Sequence, residues 1–149
     1  MTETLKFGQS KPSLARLKLA EKAFREAEKH LSKGDSVQAS EKLYKVAEEC
    51  IKAMAEALGL DEAREARRRG RWTLRLLDVA AAKLAEKLGR RVYDDWSHAY
   101  FLHVEGFHEA RLSIDQVKAR ARYVEELLET ARNTVAGAGK AEGKRCAQG

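Results

Sequence analysis

Three of the four histidines in this chain of 149 residues fall within one short stretch, at His98, His103 and His108. The ordinary pKa of histidine lies near neutral pH, so its imidazole can accept or donate a proton, or bind a metal ion when neutral. Aromatic side chains at helical spacing accompany the histidines, at Trp96, Tyr100, Phe101 and Phe107. If the chain performs chemistry, we expect to find it here.

The geometry of an α-helix separates these three imidazoles. Side chains five residues apart diverge by about 140° on an α-helix, whereas metal ligands on one helix converge at spacings of three or four. His103 is predicted to share the inward face of the aromatic stripe, and His98 and His108 are predicted to point elsewhere. We expect no metal site and no cofactor, and we interpret His103 as a core or interface histidine, with catalysis as the alternative.

The same helix carries a second group of apolar residues on its otherwise polar side, at Phe101, Leu102 and Leu112. A helix that is apolar on two faces is typical of one that lies between its own bundle and another molecule. A second copy of the chain is the simplest such partner, so we expect a homodimer. Its predicted interface residues are Trp96, Tyr100, Phe101 and Phe107.

Positive charge is concentrated between residues 64 and 75. The chain has a net charge of +6, and its densest basic segment contains Arg64, Arg67, Arg68, Arg69, Arg71 and Arg75. Such a segment attracts polyanions, and it predicts contact with RNA or a ribonucleoprotein through phosphates and shape rather than base sequence. A solvated basic junction between helices is the structural alternative.

Cysteine usage and composition limit the class of protein. Cys50 falls within an apolar helical pattern and Cys146 within a polar tail, so neither a disulfide framework nor a clustered zinc site is predicted. With 44% hydrophobic and 35% charged residues, the composition is globular and has the charge enrichment typical of thermophilic proteins. The chain has no long uncharged apolar run and no signal peptide, so we expect a cytoplasmic protein without a membrane span.

Helical periodicity divides most of the chain into five predicted helices. They begin near Ser13, after a cap at Asp35, near Thr73, at Asp94 or Asp95, and at Ser113, where Gln116 completes a capping box. Residues 61–70 form a connector or a short helix of their own, and no strand pattern is found. We expect an all-α antiparallel bundle of four to five helices over residues 13–136, with a flexible N-terminus over 1–12 and a disordered tail over 137–149.

Several segments resemble a known family. The run LHVEGFHEARLS, the following helix with Val117, Ala121, Val124 and Leu128, and the preceding hairpin segment LYKVAEECIKAMAEALG are similar to the archaeal PaREP-type small helical proteins. The similarity covers most of residues 13–136 and is most specific over residues 102–109. These proteins are grouped by fold with the HEPN superfamily, so the resemblance implies a compact HEPN-like helical bundle that frequently forms homodimers.

Many HEPN proteins are metal-independent endoribonucleases with an Arg followed, after four to six residues, by a His. In that motif the Arg stabilises a phosphate, and the His transfers a proton while the RNA 2′-hydroxyl attacks. Arg91 and His98 have this spacing, although Val92 stands where the motif often has a polar residue. His103 is the other candidate, and no Arg precedes it at that spacing. The resemblance therefore implies Arg91, His98 and His103 as candidate catalytic residues.

Three functions remain open at this point. We expect first a non-catalytic, dimeric HEPN-like protein that associates with RNA or a ribonucleoprotein through the Arg64–Arg75 segment. The first alternative is a metal-independent endoribonuclease. The second is a protein-interaction or scaffold module that binds no nucleic acid.

Overall fold

The computed structural model describes the backbone of residues 2–148 and the side chains of residues 12–140. Its regular elements over that range are all helical, which confirms the predicted all-α bundle. The α-helices are α1 (Thr2–Ser32), α2 (Ser36–Ala57), α3 (Asp61–Arg69), α4 (Leu74–Leu88), α5 (Arg91–Phe101) and α6 (Ile114–Gln148), and a π-helix (Leu102–His108) follows α5. No helix in the described part of the chain is long and apolar enough to cross a membrane.

Side-chain caps fix the beginnings of three helices where the sequence predicts them. Asp35 accepts a hydrogen bond from the backbone N–H of Gln38 at 3.1 Å, at the start of α2. Thr73 accepts one from the N–H of Leu76 at 3.2 Å, at the start of α4. These caps satisfy N–H groups that have no partner within their helix.

The predicted capping box is present at the start of α6. The Ser113 N–H donates to the Gln116 side chain at 2.8 Å, and the Gln116 N–H donates to the Ser113 hydroxyl at 3.3 Å. Because this box satisfies two helix-end donors, Ser113→Ala should lower the free energy of unfolding by about 1 kcal/mol in urea titrations. Ser97→Ala is the control, since the exposed Ser97 hydroxyl only donates to the Tyr93 carbonyl within α5; an equal loss there would contradict the prediction.

Other helix boundaries differ from the prediction. α5 begins at Arg91 rather than at Asp94 or Asp95. A backbone turn starts this helix without a side-chain cap, because the Val92 N–H donates to the Gly89 carbonyl at 3.2 Å. α1 begins at Thr2 and includes Pro12, and α6 continues to Gln148. The predicted flexible ends, 1–12 and 137–149, lie largely outside the described side chains.

Helix α2 is the centre of the bundle, since it contacts each of the other five α-helices and the π-helix. Its inward residues Leu43, Ile51 and Met54 are fully buried. Cys50 lies among them with no exposed surface, and burial raises the pKa of its thiol, as the predicted core role requires. Cys146 lies outside the described side chains.

The segment Leu102–His108 is a π-helix, in which hydrogen bonds join residues five apart. It ends with the Glu109 N–H donating to the Val104 carbonyl at 2.9 Å. Gly106 is buried against α2, and a Cβ atom there would lie 2.7 Å from the Cβ of Ser40. Glycine thus permits the close approach that holds this segment against the bundle.

Candidate functional site

An open groove of about 790 Å³ lies along α6 where α5 packs against it. The residues that line it are Arg91, Asp115, Lys118, Ala119, Arg122, Tyr123 and Glu126. We call this the α5–α6 groove. Three of its side chains are basic and two are acidic, so its floor combines positive charge with one aromatic ring.

The two members of the predicted Arg–His pair both reach this side of α6. Their spacing of seven residues puts them on one face of α5, about 10 Å apart along the helix axis. Arg91 forms a forked ion pair with Glu126, with N···O distances of 2.7 and 3.0 Å. The His98 ring stacks on Tyr123 with its centroid 3.8 Å away and the planes 19° apart. Arg91 therefore lies at one end of the groove, and His98 covers the aromatic residue that lines it.

A buried carboxyl group lies beneath this pair. Asp95 is only 1% exposed. Burial, followed by the neighbouring Glu126 carboxylate, raises the pKa of Asp95 to about 8, whereas Arg91 opposes the shift. Arg91 in turn lowers the pKa of Glu126. At neutral pH the proton of this pair therefore resides on Asp95, and the negative charge resides on Glu126, next to Arg91.

His98 is suited to accept a proton. Burial, followed by the positive charge of Arg120, lowers the pKa of His98 below its ordinary value, and Asp94 opposes the shift. The imidazole is therefore neutral at neutral pH, which is the form that a general base requires.

The prediction that His103 and His108 point apart is wrong. The Nε2 atoms of these two rings lie 3.2 Å from each other. The reason is the π-helix, because side chains five residues apart share a face when hydrogen bonds join residues five apart. His103 also stacks on Tyr44 of α2, with the centroids 3.9 Å apart. Neither histidine is among the residues that line the α5–α6 groove.

The predicted interface residues fall into different environments. Trp96 is 2% exposed within the chain itself and donates its indole N–H to Asp78 at 3.1 Å, so it is a core residue with no surface to offer a partner. Phe107 is half-buried. Tyr100 and Phe101 are each 38% exposed, and the Arg120 guanidinium lies 4.0 Å from the Phe101 ring centre. Homodimerisation stays a prediction, and Tyr100 and Phe101 are the exposed residues of the predicted interface that could contact a second copy.

The arginine-rich segment is α3 with the turn and first residues of α4 that follow it. Several of its charges are paired inside the chain: Arg64 binds Asp61 and the Gly59 carbonyl, and Arg68 and Arg69 both bind Glu65. Arg67, Arg71 and Arg75 are exposed and form no ion pair among the side chains described. Cations in the last turn of α3 also stabilise this helix, because they lie at the negative end of its dipole.

The groove contains residues that the sequence did not single out, namely Asp115, Lys118, Arg122, Tyr123 and Glu126. Asp95, buried beneath it, was predicted only as a possible helix start. The spacing of Lys118, Arg122 and Glu126 puts them one turn apart on α6, so a shared face was visible in the sequence. Which residues of α5 meet that face depends on how the two helices pack, and no local pattern gives that register.

Comparison with known proteins agrees with this architecture. A Sulfolobus solfataricus protein with a crystal structure is 40% identical in sequence to this chain. The two structures match with a TM-score of 0.73, and the match covers 78% of this chain and 96% of that one. A solution structure of the same target protein is also 40% identical, with a TM-score of 0.70 and coverage of 78% and 91%. No curated protein matches the chain.

The sequence also matches a family over most of its length. The matching family is described as the Archaeal PaREP1/PaREP8 family, and the match extends over residues 15–128. That range contains α2 to α5, the π-helix and the part of α6 that lines the groove. The chain therefore belongs to the archaeal PaREP1/PaREP8 family.

Proposed function

We propose that the protein is an HEPN-like RNA-binding protein and that the α5–α6 groove is its main RNA contact. One observation carries the proposal: Arg91, Lys118 and Arg122 line a concave surface beside the stacked rings of His98 and Tyr123. Basic side chains bind phosphates, and aromatic rings accept stacked bases in single-stranded RNA. The groove offers both kinds of contact at one place.

The shape and the aromatic ring of the α5–α6 groove, rather than the number of free cations, favour it over the arginine-rich segment. Lys118 and Arg122 are exposed and form no ion pair among the side chains that the structure describes. Protonation of Asp95 removes one negative charge from beneath the groove. In the arginine-rich segment Arg68 and Arg69 are bound to Glu65. Its cations without an ion pair among the described side chains, Arg67, Arg71 and Arg75, do not line the concave surface that also presents the Tyr123 ring.

The test compares two double variants that each remove two exposed cations. Lys118→Ala with Arg122→Ala should weaken binding of a fluorescently labelled single-stranded RNA at least tenfold. It should also reduce the slope of log affinity against log salt by about 1.4, since each phosphate contact to single-stranded RNA contributes about 0.7. Arg71→Ala with Arg75→Ala is the matched control, and it should weaken binding less than threefold.

Fluorescence anisotropy at several salt concentrations measures both quantities. The proposal is wrong if the unmutated protein does not bind RNA, or if the Arg71 and Arg75 control loses as much affinity as the groove variant. Thermal unfolding of both variants checks that each is folded, which we expect because all four side chains are exposed.

A second candidate function is metal-independent RNA cleavage. Its support is that Arg91 and a neutral His98 lie on the same face of α5 and both reach the groove side of α6. For both to contact one phosphodiester, Arg91 must leave Glu126 and reach along the helix toward His98. We expect any cleavage to persist in EDTA and to disappear in His98→Ala, whereas the control His108→Ala should retain it. Absence of cleavage, or its loss in EDTA, rules this candidate out.

A further inference from the structure

The contact between His103 and His108 has no part in the proposed RNA site. Their Nε2 atoms are joined by a hydrogen bond of 3.2 Å, and the ring planes meet at 79°. Two imidazole nitrogens bound to one tetrahedral metal ion, with bonds of about 2.0–2.1 Å, lie about 3.3 Å apart. The pair therefore already has the separation that a shared metal ion requires.

The surroundings hold one ring in place and leave the other accessible. His103 is half-buried and stacks on Tyr44 with the planes 19° apart. His108 is exposed, and its ring centre lies 5.1 Å from that of Phe107. One ligand is therefore ordered by the bundle, while an ion can approach from solvent on the side of the other.

The charges around the His103–His108 pair also favour binding of a cation. Burial, followed by the positive charge of His108, lowers the pKa of His103, and Glu41 on α2 opposes that shift. The lowered pKa of His103 favours its neutral imidazole, the form that binds metals. The negative charge of Glu41 favours a cation at the same place.

We propose that His103 and His108 form a surface site for a late first-row divalent metal ion. Imidazole nitrogen suits zinc and copper in particular. No third His, Cys, Asp or Glu completes a metal cluster among the residues described, so water molecules take the remaining positions. The water ligands of such an ion can exchange for an incoming group.

Calorimetric titration of the full chain with zinc chloride at pH 7.5 tests the site. We expect one ion per chain, and we expect His103→Ala and His108→Ala each to weaken zinc binding at least tenfold, because each removes one of two protein ligands. His30→Ala is the matched control, since His30 lies on α1, where its Nδ1 is 3.9 Å from the Asp35 carboxylate, and is not part of the His103–His108 pair. It should leave zinc affinity unchanged within a factor of two.

Copper provides an independent spectroscopic test. With one equivalent of Cu²⁺, the electron paramagnetic resonance spectrum should show coupling to two imidazole nitrogens, and His108→Ala should reduce this to one. Because His108 is exposed, we expect His108→Ala to fold normally, with a thermal unfolding curve without metal that matches the unmutated protein. The site is wrong if zinc does not bind, if binding survives in both single variants, or if His30→Ala reduces it equally.

Discussion

Replacing Gly106 by alanine should lower the free energy of unfolding by about 3 kcal/mol, the cost of strong overpacking in a core. The added methyl group would overlap the Ser40 hydroxyl and lie 2.7 Å from the Ser40 Cβ. Ser40 is fully buried on α2 and its hydroxyl donates to the Ser36 carbonyl at 2.7 Å, so it cannot move aside freely. Either the helices separate or the π-helix rewinds. Urea unfolding followed by circular dichroism measures the loss.

Two further variants separate this overlap from the general effect of alanine in a helix. Gly137→Ala adds the same methyl group on α6 where no atom lies within 4 Å, so it should stabilise the protein by about 0.5–1 kcal/mol through helix propensity. Ser40→Gly removes the overlapping atoms, and combined with Gly106→Ala it should recover about 1–2 kcal/mol as coupling energy. Equal effects of alanine at positions 106 and 137 would contradict the close approach.

Replacing Asp95 by asparagine should raise the free energy of unfolding near neutral pH by about 2–4 kcal/mol. In the folded protein Asp95 keeps its proton to a pH of about 8, whereas the ordinary pKa of this group is 3.8. Between these values the folded state holds one more proton than the unfolded chain. The stability that this proton provides is therefore complete at low pH and is lost as the pH rises toward 8.

Asparagine does not titrate, and it places an amide N–H donor beside the Glu126 carboxylate, so the variant should not lose stability over this range. Denaturant titrations at several pH values between 4 and 9 measure the difference between the two proteins. Asp94→Asn is the control, because Asp94 is the exposed neighbour in the first turn of α5 and should change stability by less than about 0.5 kcal/mol. If Asp95→Asn follows the same pH dependence as the unmutated protein, Asp95 is not protonated in the fold.

Local chemistry made most of the bundle predictable. Asp35, Thr73 and Ser113 cap helices through bonds to residues three positions along, which is a pattern visible in the sequence. The start of α5 was missed because a backbone turn after Gly89 begins it, and Arg90 provides no side-chain cap. The predicted start of α5 was therefore wrong because no capping side chain marks where this helix begins.

The π-helix could not be predicted from periodicity. Over Leu102–His108 the apolar and aromatic residues fit an ordinary α-helix. The close approach of Gly106 to Ser40, 66 positions earlier in the chain, is a tertiary contact that periodicity does not reveal. The meeting of His103 with His108 follows from the π-helix. The groove has the same origin, because the proximity of Arg91 to Glu126 depends on the register between α5 and α6.

The most direct test of the central claim is to map where RNA contacts the protein. Adding a short single-stranded RNA to isotope-labelled protein should shift the NMR signals of the His98 and Tyr123 rings and of the amides around Lys118 and Arg122. The largest shifts should lie along the α5–α6 groove. Shifts confined to residues 64–75, or no shifts at saturating RNA, would contradict the account.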